Sequence, residues 1–134
     1  YLYIQTPYLL PNEPILVALK TVAQAGVDVR VMIPAKADTR LTHWGTLSYL
    51  DELMEAGVKL YMYHKGFLHS KLLVCDDMLS TVGSTNMDFR SFEHNFEINA
   101  FLYDRGSALA LKNVFLDDQK ASMLLSLMLI AGTS

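Results

Sequence analysis

The feature of this sequence that most restricts its fold is a regular alternation of strand-like and helix-like segments over its first 63 residues. Tyr1 to Thr6 has the apolar character of a buried strand, and Pro14 to Gly26 carries apolar residues at helical spacing, with proline in its first turn and glycine at its end. The same succession continues through Val27 to Ile33 (strand), about Leu41 to Ala56 (helix) and Val58 to Tyr63 (strand). This order predicts an α/β fold whose early strands are mostly parallel.

Two corners of this pattern have similar sequences. Ala25 to Val29 reads Ala-Gly-Val-Asp-Val and Ala56 to Leu60 reads Ala-Gly-Val-Lys-Leu, at an offset of 31 residues. That offset is close to the length of one strand-helix unit. We interpret the similarity as two equivalent helix-to-strand corners and not as a functional repeat.

The second part of the sequence predicts a hairpin. Phe67 to Cys75 and Leu79 to Ser84 are strand-like and are separated by three residues, so Cys75 is expected to pair with Leu79. In that register, Lys71 falls opposite Gly83. Because the strands of a hairpin are antiparallel while the early strands are parallel, the sequence predicts a mixed, largely parallel β-sheet flanked by helices.

A last strand is expected over about Asn95 to Tyr103, and a helix beginning near Asp104 is expected to cover one face of the sheet. No linker is visible between these segments. The sequence therefore predicts one domain over residues 1–134, with the tail at residues 120–134 unassigned.

Composition narrows the classes of function. A net charge of −3 disfavours a dedicated nucleic-acid-binding protein. With Cys75 as its only cysteine, the chain has neither an internal disulfide nor a zinc site made of several thiolates.

The apolar stretch from Met123 to Ala131 is far shorter than the roughly 20 residues that span a bilayer, so the chain as given is predicted to be soluble. Since it begins with Tyr1 and not with methionine, we expect a fragment of a longer protein.

A histidine and a lysine form the strongest candidate for chemistry. His69 and Lys71 are two residues apart in a predicted strand, so their side chains project to one face with Cα atoms about 6.6 Å apart. Both groups can then flank one phosphate. Asp76 has the opposite parity and lies at the end of the strand, which makes direct contact with the same ligand less favourable.

The hairpin register brings polar groups toward this pair. His69 falls opposite Thr85, so the segment Gly83-Ser84-Thr85-Asn86 lies beside it. Glycine permits close approach of the backbone, while Ser84 and Asn86 supply hydroxyl and amide groups. In the next predicted strand, Glu97 lies on a polar face that can point toward the same cluster.

Taken one at a time, several of these residues have simpler interpretations. A single histidine in a strand is most often a packing or surface residue, and His43 and His94 are interpreted in that way. A metal site made from His64, His69, Cys75 and Asp76 lacks a ligand pair at familiar zinc spacing. Cys75, in an apolar strand, is interpreted as inert packing. No metal and no cofactor are therefore predicted.

The combination His69-x-Lys71-x4-Asp76, followed by Gly83-Ser84-Thr85-Asn86, resembles the signature of the phospholipase D superfamily. Three further segments are similar to the C-terminal half of bacterial cardiolipin synthases. They are Gln5-Thr6-Pro7-Tyr8, Gly66-Phe67-Leu68-His69 and Arg90-Ser91-Phe92-Glu93-His94-Asn95-Phe96-Glu97. The resemblance extends to about residue 120 and implies a phospholipase D-like α/β/α sandwich.

The resemblance also implies a mechanism. His69 would attack a phosphodiester phosphorus and form a phosphohistidine, and a second histidine would protonate the departing alcohol. Lys71 and Asn86 would hold the nonbridging oxygens, and Glu97 would orient the imidazole. Ser84 would contact either the phosphate or a residue that binds it. Asp76 belongs to the motif, and its parity favours a supporting role. The implied reaction forms cardiolipin and glycerol from phosphatidylglycerol, and hydrolysis by a phospholipase or nuclease of the same superfamily is the alternative.

Members of this superfamily bring two His/Lys motifs into one active site, whereas this chain has one. The second motif is expected either from an absent N-terminal half or from a second copy of the chain. A monomer of the chain alone is expected to be inactive or weakly active. The alternative hypothesis outside the enzymes is a non-catalytic domain that serves only for pairing with another chain. By analogy, the parent protein is placed at the bacterial cell membrane, with the membrane surface as a partner and no nucleic acid expected.

Overall fold

The fold is described from a computed structural model that covers residues 1–7, 9–10, 13–35, 49–66, 71–83, 87–88 and 99–125. The helices are α1 (Glu13–Gln24), α2 (helical over residues 49–55) and α3 (Arg105–Gln119). The strands are β1 (Leu2–Gln5), β2 (Leu9–Leu10), β3 (Val29–Pro34), β4 (Lys59–Tyr63), β5 (Leu72–Cys75), β6 (Leu79–Gly83), β7 (Met87–Asp88), β8 (Asn99–Leu102) and β9 (Ser122–Leu124). The predicted α/β class is confirmed.

Seven of the described strands form one mixed sheet in the order β8-β6-β5-β1-β3-β4-β9. The early strands β1, β3 and β4 are parallel, as predicted. The other described pairings in this sheet are antiparallel. The parallel part of the sheet is thus narrower than the largely parallel sheet that was expected. A short hairpin connection permits only antiparallel strands, and the outer strands β8 and β9 each add an antiparallel pairing. Strands β2 and β7 form a separate parallel pair.

Side chains of β1 alternate between two covered faces of the sheet. Ile4 belongs to a buried cluster under α1 and α2, whose other members are Leu16, Leu19, Val29, Val31, Ile33, Leu50, Leu53, Val58 and Leu60. Tyr3 points to the opposite face and packs with Met32 of β3 and Phe115 of α3. Helices therefore cover both faces, which is the expected α/β/α arrangement.

The ends of the helices follow the signals in the sequence. Gly26 and Gly57 have φ angles of +96° and +103°, a left-handed conformation that glycine adopts without a Cβ clash. Asp104 caps α3, its carboxylate accepting a hydrogen bond of 2.8 Å from the Ser107 N–H. The predicted helix near Asp104 thus begins at the expected residue.

The unassigned tail contributes one strand that was not predicted. Ser122–Leu124 form β9, which pairs with β4 so that Tyr63 lies opposite Ser122. Just after β9, the Leu125 N–H donates to the Leu60 carbonyl at 2.8 Å. This short strand depends on a partner that is distant in sequence, and its own three residues carry no clear strand pattern.

Phe115 is expected to be a major contributor to stability. Its side chain is fully buried, and its ring stacks on Tyr3 with 4.9 Å between ring centroids. Phe115→Ala should lower the free energy of unfolding by about 3–5 kcal/mol, because it leaves a cavity and removes apolar burial. The neighbouring Val114 is 44% exposed, so Val114→Ala is the matched control with an expected change of about 0.5 kcal/mol or less. Urea unfolding measures both, and equal losses in the two variants would contradict the packing described here.

Candidate active site at the carboxyl edge of the sheet

The sheet has one edge, here called the carboxyl edge, where the parallel strands β1, β3 and β4 end at Gln5, Pro34 and Tyr63. Strand β5 runs antiparallel to β1 and pairs Leu72 with Gln5. The start of β5, and Lys71 just before it, therefore lie at the carboxyl edge as well. Open α/β sheets commonly bind ligands beyond the carboxyl ends of their parallel strands.

The hairpin places Gly83 next to Lys71. Cys75 pairs with Leu79 and Leu72 with Val82, as the predicted register requires. The Gly83 N–H donates to the Lys71 carbonyl at 3.2 Å. The prediction that Lys71 lies opposite Gly83 is confirmed. Because β6 ends at Gly83, the chain leaves this strand at the carboxyl edge beside Lys71.

Four of the six predicted site residues lie outside the described residues: His69, Ser84, Asn86 and Glu97. The predicted pairing of His69 with Thr85 falls there too. What the structure provides is the place where the chain enters and leaves these segments, at Gly66, Lys71 and Gly83. Their roles stay predictions.

Asp76 lies at the opposite edge of the sheet from Lys71. The four residues of β5 separate them, a span of about 17 Å at the usual strand rise. Asp76 and Asp77 occupy the hairpin turn with φ angles of 51° and 57°, which aspartate tolerates better than most residues. The Asp76 side chain is 70% exposed. The structure therefore does not bring Asp76 and Lys71 together.

A shallow depression opens at the carboxyl edge beside the ends of β3 and β4. Its volume is about 460 Å³, and its described lining consists of Ala35, Tyr63, His64 and Gly66. The Ala35 N–H donates to the Tyr63 carbonyl at 2.9 Å, which ties the two strand ends together. Tyr63 and His64 thus line a depression at the carboxyl edge, where Lys71 also lies. Neither residue was assigned to a site from the sequence. Their position at the end of a predicted strand was the available signal.

The electrostatics around Cys75 agree with an inert thiol. Burial raises the pKa of the Cys75 thiol, and the negative charge of the adjacent Asp76 raises it further. A raised pKa reduces the thiolate fraction that a nucleophile needs. Cys75 also lies at the end of β5 that is remote from Lys71.

An ionic cluster at the edge opposite the carboxyl edge has a structural role. Asp28 accepts hydrogen bonds from Arg30 Nε at 3.1 Å and from its terminal nitrogen at 2.9 Å, and Lys59 Nζ lies 3.6 Å away. Burial opposes ionisation of Asp28, but the hydrogen bonds and charge of Arg30, with Lys59 and the Tyr3 hydroxyl, outweigh it and lower the pKa of this carboxyl group. The Arg30 guanidinium also lies over the Tyr3 ring, 4.6 Å from its centroid.

This cluster predicts a pH dependence of stability. Because the pKa of Asp28 is lower in the folded state, its stabilising contribution is present above the ordinary pKa of an unfolded aspartate and is lost as the pH falls through the lower, folded value. In urea unfolding between pH 6 and about pH 2.5, Asp28→Asn should show a smaller acid-induced loss of stability than the wild type. Asp51→Asn, at an exposed position of α2, is the control. An identical acid response in wild type and Asp28→Asn would contradict this assignment.

Within the described parts of the chain, no group of three or more histidine, cysteine, aspartate or glutamate side chains is arranged to hold a metal ion. Of the residues considered and rejected as metal ligands, His64 lies at the carboxyl edge, whereas Cys75 and Asp76 lie at the opposite edge of the sheet. None of the helices in the described ranges is long and apolar enough to cross a membrane.

The arrangement at the carboxyl edge suits the binding of an anionic group. Lys71 supplies a cation, and Gly83 beside it lets a ligand approach the backbone closely. The connections that carry the predicted nucleophile and polar groups depart from the same edge. Such a combination fits charge stabilisation at a phosphate, in which a fixed ammonium group balances charge that develops on the oxygens.

Comparison with solved structures identifies the same fold. The chain aligns with Nuc from Salmonella typhimurium, a phospholipase D family member, with a TM-score of 0.79 and 19% identity, over 92% of this chain and 80% of that one. It aligns with phosphatidylserine synthase from Haemophilus influenzae with a TM-score of 0.72 and 17% identity, over 92% of this chain and 33% of that one. At these identities, the similarity concerns the fold alone.

Sequence comparison gives closer relatives. The chain is 50% identical over 121 residues to cardiolipin synthase 2 of Staphylococcus epidermidis, which covers 90% of this chain and 25% of the relative. It is also 50% identical over 121 residues to a cardiolipin synthase of Staphylococcus aureus, covering 90% of this chain and 24% of that protein. The chain thus spans about a quarter of the length of these curated relatives. A family model described as the phospholipase D-like domain of cardiolipin synthase matches residues 1–119. With this match over most of its length, the chain belongs to the cardiolipin synthase family of phospholipase D-like domains.

Proposed function

We propose that this chain supplies one His/Lys half of an active site that transfers a phosphatidyl group between two molecules of phosphatidylglycerol, forming cardiolipin and glycerol. The observation that carries the proposal is the position of Lys71 beside Gly83 at the carboxyl edge, in a chain of the cardiolipin synthase family. His69 precedes this lysine by two residues. No cofactor and no metal enter the proposed reaction.

In the first step, an imidazole nitrogen of His69 attacks the phosphorus of phosphatidylglycerol. A P–N bond forms, the P–O bond to the glycerol headgroup breaks, and a second histidine gives its proton to the departing glycerol oxygen. With an unperturbed pKa near 6.5, histidine serves as nucleophile or as acid near neutral pH.

In the second step, a headgroup hydroxyl of another phosphatidylglycerol attacks the phosphohistidine. The second histidine, now neutral, accepts the hydroxyl proton, and the P–N bond breaks to release His69 and cardiolipin. Lys71 and Asn86 balance the charge on the nonbridging oxygens in both steps. Lys71 is suited to this because its ammonium group is a compact charge with three donors.

The remaining residues have supporting roles in this proposal. Glu97 fixes the orientation and tautomer of the imidazole, as the third member of a catalytic triad does. Ser84 adds a hydrogen bond to a phosphate oxygen. Asp76 contributes through the hairpin turn, because the four residues of β5 separate it from Lys71.

The second histidine comes from a second His/Lys motif, carried either by a preceding half of a longer protein or by another copy of this chain. The span of about a quarter of the relatives' length favours the first source. The proposal places the complete protein at a bacterial membrane surface, where phosphatidylglycerol is present. A strictly monomeric sample of this chain alone is accordingly proposed to have little or no activity.

Incubation of the complete protein with vesicles of phosphatidylglycerol tests the proposed reaction. Cardiolipin and glycerol in equal amounts are expected. Phosphatidic acid without cardiolipin would instead identify a hydrolytic phospholipase, and cleavage of DNA by the same sample would identify a nuclease. The net charge of −3 on this chain disfavours the nuclease, because backbone phosphates are neutralised by an excess of lysine and arginine.

A further inference from the structure

A buried amide at the end of β1 connects the carboxyl edge to the last turn of α3. Gln5 is completely buried, and its Nε2 donates to Asp118 Oδ2 at 2.8 Å. Nothing in the sequence pattern alone requires this glutamine, since it occupies an interior position of the sheet where apolar residues are usual. Its Oε1 is also buried and has no hydrogen-bond partner among the described residues. A buried polar group with an unpaired atom costs stability, so its presence points to a role other than packing.

Asp118 is also hydrogen-bonded to the chain that follows α3. Its backbone carbonyl accepts hydrogen bonds from the Ser122 hydroxyl at 2.9 Å and from the Ala121 N–H at 3.0 Å. The Ala121 carbonyl in turn accepts a hydrogen bond of 3.0 Å from the His64 N–H. One series of bonds therefore runs from the end of β1, through the end of α3, to the residue that follows β4.

This series of hydrogen bonds ends at His64, a residue beside the candidate active site. His64 lines the depression at the carboxyl edge, and the chain from Gly66 to Lys71 begins and ends at that edge. His69 lies in this connection. The bonds from Gln5 through Asp118 and Ala121 to His64 connect the ends of β1 and β4, which β3 separates in the sheet, and so help to fix the point from which the proposed nucleophile's segment departs.

We propose that Gln5 and Asp118 form a positioning clamp for the active site. The clamp ends at His64 and holds the chain at the point from which the segment that carries His69 departs, without contacting the substrate. The expected effect on catalysis rests on the proposed function, whereas the hydrogen-bonded connection from Asp118 to His64 does not depend on it. Small errors in the placement of reacting groups reduce rates strongly, so a positioning role is measurable.

Gln5→Met separates positioning from folding. Methionine has a volume similar to that of glutamine and fills the buried site, and it removes both the donor and the unpaired Oε1. In the complete protein, we expect a kcat about tenfold below the wild-type value, a KM within about twofold, and a thermal midpoint within about 3 °C. Asp118→Asn keeps an acceptor for Gln5 Nε2, so its kcat should stay within about threefold of wild type.

Asp117→Ala is the matched control for Asp118→Ala. Asp117 is in the same turn, is exposed, and pairs with Lys120 and not with Gln5. Asp118→Ala should lower kcat about tenfold and Asp117→Ala should leave it unchanged. Wild-type kcat in both Gln5→Met and Asp118→Ala, or an equal loss in Asp117→Ala, would overturn the catalytic part of the proposal.

Amide hydrogen exchange tests the clamp independently of any activity. In Asp118→Ala, exchange at the His64 and Leu125 amides should be at least about tenfold faster than in the wild type, because both lie on the connected β4 and β9 segments. The Gly83 amide, in the hairpin on the other side of β1, should change by less than about twofold. Unchanged exchange at His64 would overturn the clamp. Changed exchange in a protein that makes no cardiolipin would overturn the proposed function and leave the clamp standing.

Discussion

Replacement of His69 with alanine is expected to lower the rate of cardiolipin formation by about four orders of magnitude, because it removes the nucleophile that the proposed reaction requires. Residues that act as one catalytic unit cause losses of this size, since the remaining groups have no intermediate to stabilise. The effect should appear in kcat. Substrate binding should persist, because Lys71 and the rest of the phosphate site are unchanged.

His43→Ala is the control for this prediction. It makes the same change of side chain at a histidine outside each of the motifs, and its activity should stay within about twofold of wild type. The measurement is the initial rate of cardiolipin formation from phosphatidylglycerol vesicles by the complete protein. A His69→Ala variant that retains a tenth or more of the wild-type rate would rule out a nucleophilic role for this residue.

Lys71→Ala is expected to lower kcat by about 10²–10³-fold, the size of effect that follows loss of one fixed donor to a developing charge. Lys71 lies at the carboxyl edge beside Gly83, where the connection containing His69 rejoins the sheet. Lys71→Arg keeps the charge and should recover part of the activity. Full recovery is not expected, because a planar guanidinium does not replace a compact ammonium group.

Lys20→Ala controls for the loss of a positive charge. Lys20 is on α1, where its Nζ lies 3.4 Å from Glu52 in a partly exposed ion pair. Such pairs contribute little, so activity and stability should be nearly unchanged. Equal losses of kcat in Lys20→Ala and Lys71→Ala would mean that net charge, and not the position of Lys71, determines the rate.

Much of the fold follows from local patterns in the sequence. The helical spacing of Leu16 and Leu19 predicts the buried face of α1, and both residues lie in the core below that helix. The three-residue turn after Cys75 predicts the hairpin register and, with it, the pairing of Lys71 with Gly83. These features depend on interactions between residues that are close in sequence, so the local pattern contains the information that they require.

Features that depend on distant partners were not predictable in the same way. Strand β9 exists through its pairing with β4, about 60 residues earlier, and its three residues do not form a distinctive pattern. The contact of Gln5 with Asp118 joins residues separated by 113 positions. A glutamine in an apolar strand was the one local signal, and it gives no indication of which residue will satisfy its amide.

For the candidate site, sequence and structure contribute different parts. The motif with His69 and Lys71 indicates the chemistry, and the sheet supplies the edge at which Lys71 and Gly83 meet. Its parity and its place at the strand end made Asp76 a weaker candidate for direct contact, and in the structure Asp76 lies in the hairpin turn at the edge opposite Lys71. The distinction between transfer and hydrolysis depends on which acceptor enters the site, so products and not motifs decide it.

The most direct test of the central claim is detection of the covalent intermediate. The complete protein is mixed with phosphatidylglycerol vesicles, quenched at alkaline pH within a single turnover, digested and analysed by mass spectrometry. We expect a phosphatidyl group on the peptide that contains His69, formed before cardiolipin appears and absent from His69→Ala. Cardiolipin formed at the wild-type rate by His69→Ala, with no modified His69 peptide in the wild type, would contradict it.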